Sequence, residues 1–273
     1  MSPGPGSDLP RRLATAAVVL PLLLAALFLG PPWLIVSVLA AAVLIGMWEY
    51  MGLMSARGIA AEPVTGALVL AGAFTQVAYG WPSFTLWPLA ALLAVGSLLW
   101  QRGEFGARVS ASAGTLLGAV YLGGLGGAIA ALSLLPPVSA GPWRLVLLMA
   151  IIMVADSAAY FAGRALGRRK LAPSISPGKT WEGAVAGLAG GILGALAVRA
   201  VGMPTLPAVD AAVLGVLVAA VGTAGDLAES LLKRWAGVKD SGRLFPGHGG
   251  MLDRLDSLLF GAPVLYYYFN LAR

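Results

Sequence analysis

Residues 239–257, KDSGRLFPGHGGMLDRLDS, gather charged side chains, glycine and proline within an otherwise apolar chain. The carboxylates of Asp253 and Asp256 stand three positions apart at the predicted start of a helix. Hard divalent cations such as Mg²⁺ bind carboxylate oxygens together with water and substrate phosphate. Gly249 and Gly250 let an anion approach backbone amides, because glycine has no Cβ. This composition favours a site for a metal ion and a phosphate group.

A second polar set lies just before this segment. Asp226, Ser230, Lys233 and Arg234 occur at i, i+4, i+7 and i+8, a spacing that places them on one face of a helix. Asp226 and Asp253 are predicted at the same ends of neighbouring membrane segments, so they are candidates for one metal site. For the helical segment alone, a basic helix end with an intrahelical ion pair remains an equal alternative.

A third polar set surrounds residues 163–182. Asp156 falls inside an apolar stretch, where an ionisable group is costly unless it faces water or a partner. Arg164, eight positions later, is expected to be that partner or a phosphate contact. Ser176 opens a predicted SPGKT turn that places Lys179 at a helix start, which suits phosphate binding. The spacing is not that of a P-loop, so a P-loop NTPase is not supported.

His248 is the only histidine, and the chain has no cysteine. Disulfides, thiolate metal sites and cysteine nucleophiles are therefore excluded. One histidine without cysteine is weak evidence for zinc. We expect His248 to order its loop or contact phosphate in preference to acting as a general base.

The elements that must position these groups are membrane helices. The chain is 59% hydrophobic and only 11% charged, with a mean hydropathy of +0.85, against a usual charged share of about 25%. We predict an all-α, polytopic integral membrane bundle with about nine transmembrane helices. They are expected near residues 13–29, 33–54, 64–80, 84–100, 112–134, 144–162, 183–201, 209–225 and 257–272.

Charge divides the connections into two sets. One set is short, rich in proline and glycine, and nearly uncharged, while the other holds every Lys and Arg except Arg144, Arg199 and Arg273. By the positive-inside rule the charged set is cytoplasmic, with the N-terminus inside and the C-terminus outside. We expect a multi-pass protein of the cell (inner) membrane with its site facing the cytoplasm. Despite the pI of about 9.9, we expect no nucleic acid partner.

The polar groups divide the chain into two predicted regions. Residues 1–140 are expected to form an N-terminal transmembrane scaffold of about five helices. Residues 141–273 are expected to form the catalytic region, with cytoplasmic loops at 163–182 and 226–256. Several spans are rich in glycine, which allows close helix packing and is compatible with a homodimer.

Residues 230–256, SLLKRWAGVKDSGRLFPGHGGMLDRLD, resemble the signature of the phosphatidate cytidylyltransferases, or CDP-diacylglycerol synthases. The upstream segment ADSAAYFAGRALGRRKLAPSISPGKTWEG is similar to another well-marked segment of that family, whereas residues 1–140 match it only as a hydrophobic profile. The signature is matched without departure at these positions: Ser230, Lys233, Arg234, Lys239, Asp240, Gly242, Phe245, Pro246, His248, Gly249, Gly250, Asp253, Arg254 and Asp256.

The resemblance implies a nucleotidyltransferase of phospholipid biosynthesis, in which CTP and phosphatidate give CDP-diacylglycerol and pyrophosphate with a required divalent metal. Such a transfer depends on positioning and charge neutralisation more than on covalent chemistry. We expect Asp226 and Asp253 to hold Mg²⁺, with Asp256 as a further ligand or as an orienter of Arg254. Whether a second metal ion takes part is left open.

The remaining roles are expectations for two polyanionic substrates. Lys233, Arg234, Lys239 and Arg243 are expected to bind the triphosphate and the departing pyrophosphate. Lys179 and Arg164 are expected beside the phosphatidate head group or the same triphosphate. The other predicted positions are Asp240 in the catalytic set and, among substrate contacts, Asp156, Ser176, Ser230, His248, Gly249, Gly250 and Arg254.

Two other functions fit part of the pattern. A CTP-dependent lipid kinase of the polyprenol type would share the nucleotide and the membrane but would transfer the γ-phosphoryl group. A secondary transporter would place ionisable residues near the bilayer midplane in paired halves, whereas here they cluster at one face and in one half of the chain.

Overall fold

A computed structural model describes residues 21–81, 86–242, 244 and 249–271. Within these ranges the chain is almost entirely α-helical. In chain order the helices are α1 (21–29), α2 (Pro32–Ser55), α3 (Pro63–Tyr79), α4 (Leu86–Ser97), α5 (Phe105–Leu134), α6 (Gly141–Leu166), α7 (Trp181–Gly202), α8 (Ala208–Ala236) and α9 (Leu252–Leu271). A 3₁₀ turn at Val138–Ala140 precedes α6.

Five helical segments in the described part are long and apolar enough to cross a membrane, namely Pro32–Ser55, Phe105–Leu134, Val138–Leu166, Trp181–Gly202 and Ala208–Ala236. Helices α3 and α4 are apolar but shorter. The nearly all-α class is confirmed, together with several candidate spans. The predicted count of nine spans and the orientation of the termini stay predictions, and the first predicted stretch begins outside the described residues.

A small β-hairpin between α6 and α7 departs from the predicted all-α fold. Strand β1 (Lys170–Ala172) pairs antiparallel with β2 (Ser176–Thr180), where the sequence predicted a turn. Strands of 3 and 5 residues are too short for alternation to reveal them. Helix α7 then begins after Thr180, whose Oγ1 accepts a hydrogen bond from the amide of Gly183 at 3.1 Å.

Helices α6, α7 and α8 pack with their backbones in close contact. A Cβ atom on Gly191 of α7 would lie 2.5 Å from the carbonyl oxygen of Gly215 of α8. A Cβ on Gly194 would lie 2.7 Å from the carbonyl oxygen of Ala150 of α6. The close approach predicted for this glycine-rich span is thus used within one chain.

Helix α9 lies inside the bundle and contacts α2, α5, α6 and α8. The side chains of Leu252, Leu259 and Leu265 are fully buried along its length. Groups at the N-terminal end of α9 are therefore held by helices from both halves of the chain.

The backbone contact between α7 and α8 predicts a large effect for a single methyl group. Gly191→Ala should lower the thermal unfolding midpoint of the detergent-solubilised protein, because overpacking costs about 1–3 kcal/mol. Gly124→Ala in α5 is the matched control, since a Cβ there meets nothing within 4 Å. The control should leave the midpoint unchanged or raise it slightly, as alanine favours helix by about 1 kcal/mol over glycine. Equal midpoints for the two variants would contradict the packing.

Candidate active site

The candidate site lies where α8 ends and α9 begins. Asp226 of α8 is held by two groups predicted for the site. Its Oδ2 atom lies 2.7 Å from the Nζ of Lys179 in β2, and its Oδ1 accepts a hydrogen bond from the Ser230 hydroxyl at 3.2 Å. The hairpin and α8 therefore meet at Asp226. The ion pair with Lys179 anchors the SPGKT segment to α8.

Lys233 joins α8 to α9. Its Nζ lies 2.5 Å from Asp253 Oδ1 of α9 and 2.5 Å from Glu229 Oε2, one turn earlier on α8. The Lys233 side chain is only 12% exposed, and Glu229 is fully buried. Charge-assisted bonds of this kind are about twice as strong as neutral ones, so this cation fixes the distance between the two helices.

Asp253 orders the loop that precedes α9. Its Oδ2 accepts hydrogen bonds from the Ser241 amide at 3.0 Å, the Ser241 hydroxyl at 2.8 Å and the Gly250 amide at 2.8 Å. Burial opposes ionisation of Asp253, but the bonds from Lys233 and the loop outweigh it and lower its pKa to about 2. The carboxylate is therefore ionised, and both its oxygens already have donors.

Three carboxylates from different helices face a common region. Asp256 stands in the first turns of α9, before the predicted span, and it interacts electrostatically with Asp226 of α8 and Asp156 of α6. Burial, followed by repulsion from these two carboxylates, raises the pKa of Asp256 to about 7. Negative charges held together in this way favour a nearby cation.

The carboxylates of this region are the potential ligands of a metal ion. Over the described ranges, no three His, Asp or Glu side chains lie together as a metal-binding group. Mg²⁺ commonly needs only one or two carboxylates, with water and substrate phosphates completing its shell. Asp226 and Asp256 fit this requirement because their charges repel each other, while Asp226 and Asp253 are each also paired with a lysine.

The structure changes the expected partner of Asp156. Its electrostatic partners of opposite charge are Lys179 and Arg254, whereas Arg164 donates a hydrogen bond to the Tyr160 hydroxyl at 3.3 Å. Eight residues along a helix correspond to about 12 Å of rise, which separates Arg164 from Asp156. The pairing of Arg164 with Asp156 was therefore wrong, and its phosphate contact stays a prediction.

The other predicted groups surround the cluster. Arg234 points outward, and its Nε donates to the carbonyl oxygen of Ile175 at 3.3 Å, which ties α8 to the hairpin. Lys239 and Asp240 are exposed beyond the end of α8, and Ser176 is half-buried in β2. Gly249 has a left-handed backbone with φ of 79° and, with Gly250, leads into α9. Arg243 and His248 lie outside the described residues.

Sequence reasoning missed two buried carboxylates. Glu49 of α2 accepts hydrogen bonds from the loop before α9, and Glu229 contacts Lys233. Glu49 interrupts an apolar stretch, as Asp156 does, so the rule that flagged Asp156 applies to it equally. Glu229 lies one position before the matched signature, which begins at Ser230, so the signature did not point to it.

A cavity of about 440 Å³ lies at the opposite end of the bundle, between the C-terminal ends of α3, α5 and α9. Its lining includes Tyr79, Leu135 and Tyr266 but no charged side chain. It therefore offers nothing that would bind a triphosphate, and the charged cluster at the α8–α9 junction is the better candidate site.

Comparisons with known proteins identify the family of the chain. The model of the cytidylyltransferase family matches residues 10–272. The phosphatidate cytidylyltransferase of Pseudomonas aeruginosa is 37% identical over 269 residues, covering 94% of this chain and 95% of that protein. The corresponding Synechocystis protein is 35% identical over 286 aligned residues, with the same coverage.

A second group of relatives matches more closely over a shorter stretch. The phosphatidate cytidylyltransferase of Brucella suis is 52% identical over 128 residues. That stretch covers 45% of this chain and 46% of the Brucella protein, so it spans about half the length of each. Because the family model extends over nearly the whole sequence, the chain belongs to the cytidylyltransferase family.

Proposed function

We propose that this chain transfers the cytidylyl group of CTP to phosphatidate, giving CDP-diacylglycerol and pyrophosphate. The observation that carries the proposal is the interleaving of cations and carboxylates at the junction of α8, α9 and the hairpin. The relatives that align over nearly their full length bear the name of that activity. CTP and phosphatidate are both polyanions, and they can approach each other there because the cations of Lys179 and Lys233 reduce their mutual repulsion.

The reaction needs no strong general base. An oxygen of the phosphatidate phosphate attacks the α-phosphorus of CTP, and the bond from that phosphorus to the oxygen bridging it to the β-phosphorus breaks. The pyrophosphate leaves with the electron pair of that bond. Lys179 and Lys233 neutralise the charge that develops on the transferred and departing groups. Arg254, Lys239 and Arg234 line the approach at the same end of the bundle.

Mg²⁺, when bound, would neutralise phosphate charge and align the α-phosphorus for attack. Asp226, Asp256 and Asp253 are the residues proposed to hold it, with Asp226 and Asp256 best supported by their mutual repulsion. Asp226 and Asp253 are each paired with a lysine, and a substrate phosphate that binds these lysines would free both carboxylates for the ion. One or two ions are compatible with this set.

We place the site at the cytoplasmic surface of the cell membrane. Its support is the positive-inside distribution, since the cations of the site belong to the charged set of loops. A topology of nine spans, with the N-terminus inside and the C-terminus outside, places the charged set of loops on the cytoplasmic side. A homodimer has less support than the sequence suggested, because Gly191 and Gly194 pack against α8 and α6 of the same chain.

The products separate this activity from that of a lipid kinase. Purified protein with labelled CTP, phosphatidate and Mg²⁺ should form CDP-diacylglycerol and release one pyrophosphate for each lipid product. Chromatography of the lipid and an enzymatic pyrophosphate assay measure the two. Formation of CDP with a phosphorylated polyprenol, and no CDP-lipid, would instead establish the kinase.

Asp226 should be essential for the transfer. Asp226→Asn removes the charge that holds Lys179 and helps bind the metal, so CDP-diacylglycerol formation should fall at least about 10²–10³-fold, as when one preorganised electrostatic contact is lost. Asp210→Asn is the matched control on the same helix, since Asp210 contacts Tyr268 at the far end. The control should keep most activity. Near wild-type activity of Asp226→Asn at saturating Mg²⁺ would remove Asp226 from the site.

Lys179 should act on substrate binding as well as on rate. Lys179→Met removes the ammonium beside Asp226 and should lower kcat/KM by about 10²-fold, whereas Lys179→Arg should recover part of it. Lys170→Met, in the paired strand of the same hairpin, is the control because Lys170 is exposed. Steady-state kinetics with varied CTP and phosphatidate measure the effect. Equal losses at Lys179 and Lys170 would show that only hairpin charge matters.

A further inference from the structure

We propose that Glu49 of α2 is a positioning residue for the transfer, through which the N-terminal half of the chain holds the loop and helix end that carry Asp253. The inference rests on the proposed function for its kinetic consequence, but its structural part is independent. Glu49 is not one of the predicted metal-binding or substrate-binding residues. It acts on the backbone that positions those residues.

The Glu49 carboxylate caps the start of α9 from another helix. Its Oε1 accepts a hydrogen bond from the Met251 amide at 2.9 Å, and its Oε2 accepts one from the Leu252 amide at 2.8 Å. The first amides of a helix have no intrahelical acceptor, and a negative charge at this end is favourable. Glu49 therefore supplies from α2 what a capping side chain usually supplies locally.

A serine hydroxyl links Glu49 to Asp253. Ser241 Oγ lies 3.0 Å from Glu49 Oε2 and 2.8 Å from Asp253 Oδ2. A hydroxyl has one proton to donate and contacts both carboxylates here. The positions of Glu49, Ser241 and Asp253 are therefore set together, and Asp253 in turn holds Lys233.

The loop encloses Glu49 so tightly that only glycine fits beside it. A Cβ atom on Gly242 or on Gly250 would collide with the Glu49 carboxylate. Glu49 itself is 8% exposed. The glycines at these two positions therefore serve the approach of the loop to Glu49, in addition to any approach of phosphate.

A buried carboxylate is expensive unless donors satisfy it. The side-chain hydrogen bonds that Glu49 makes with described residues all come from the loop before α9 and the first residue of α9, across 192 to 203 positions of sequence. A residue needed only for packing of α2 would not require an acid at this place. The geometry points to the ordering of the site as its role.

The test compares Glu49→Gln with Glu62→Gln, a control at the N-cap of α3 in the same half. Glutamine keeps the size of Glu49 but turns one acceptor into a donor that faces a backbone amide. We expect Glu49→Gln to lower kcat by about tenfold to 10²-fold, the cost of a misplacement near 1 Å, with little change in KM. Glu49→Asp, which keeps the charge, should recover part of kcat. Glu62→Gln should behave as wild type.

Hydrogen exchange of the purified protein separates positioning from general destabilisation. In Glu49→Gln, exchange should rise in residues 239–242 and 249–252 and stay unchanged in α6 and α7. Normal kcat with unchanged loop exchange would overturn the proposal, and so would exchange that rises equally throughout the chain. Absence of CDP-lipid formation by the wild-type protein would overturn the proposed function instead, while the exchange result would still test the role of Glu49 in ordering the loop.

A double-mutant cycle tests whether Glu49 acts through the Ser241 hydroxyl. Ser241→Ala removes the hydroxyl between Glu49 and Asp253. If the two residues act through this link, Ser241→Ala combined with Glu49→Gln should lower kcat by less than the product of the two separate effects. Independent, multiplicative effects would contradict the link.

Discussion

The buried ammonium of Lys233 is the group on which the site depends. It lies 2.5 Å from Glu229 on its own helix and 2.5 Å from Asp253 on α9. Each carboxylate would cost several kcal/mol to bury without a cation, so α8 and α9 can meet at this point only around Lys233. Glu229 Oε1 has no hydrogen-bond partner among the described residues, so the contact with Lys233 at Oε2 is what holds this buried side chain at the junction.

The same arrangement explains how a site built from opposite charges can accept polyanions. Lys179 is held by Asp226 and Lys233 by Asp253. A substrate phosphate would compete with these carboxylates for the lysines, and the carboxylates so released would be available to the proposed divalent ion. Such an exchange of partners would leave no buried charge uncompensated. The two ion pairs thus orient the lysines toward the region in which the proposed substrates would bind.

The sequence predicts the helices and the chemistry better than it predicts the contacts. Helical spacing predicted that Asp226 and Ser230 share a helix face, and the two side chains are hydrogen-bonded, because the relation is local. It failed for Arg164 and Asp156, where a shared face does not overcome two turns of separation. The hairpin at 170–180 was missed because its strands are too short to show a period. Glu49 was missed because its partners are about 200 positions away, and no local pattern reports such a contact.

The contacts of α9 argue against treating residues 1–140 as a scaffold without influence on the chemistry. Helices α2 and α5 both pack on α9, and the carboxylate of Glu49 reaches the amides of Met251 and Leu252. An enzyme that aligns two charged phosphates needs its groups held within a fraction of an ångström, and loops alone do not provide this. The chain meets that requirement by inserting the site-bearing helix between its two halves. Through the hydrogen bonds of Glu49, the N-terminal half takes part in the geometry of the site.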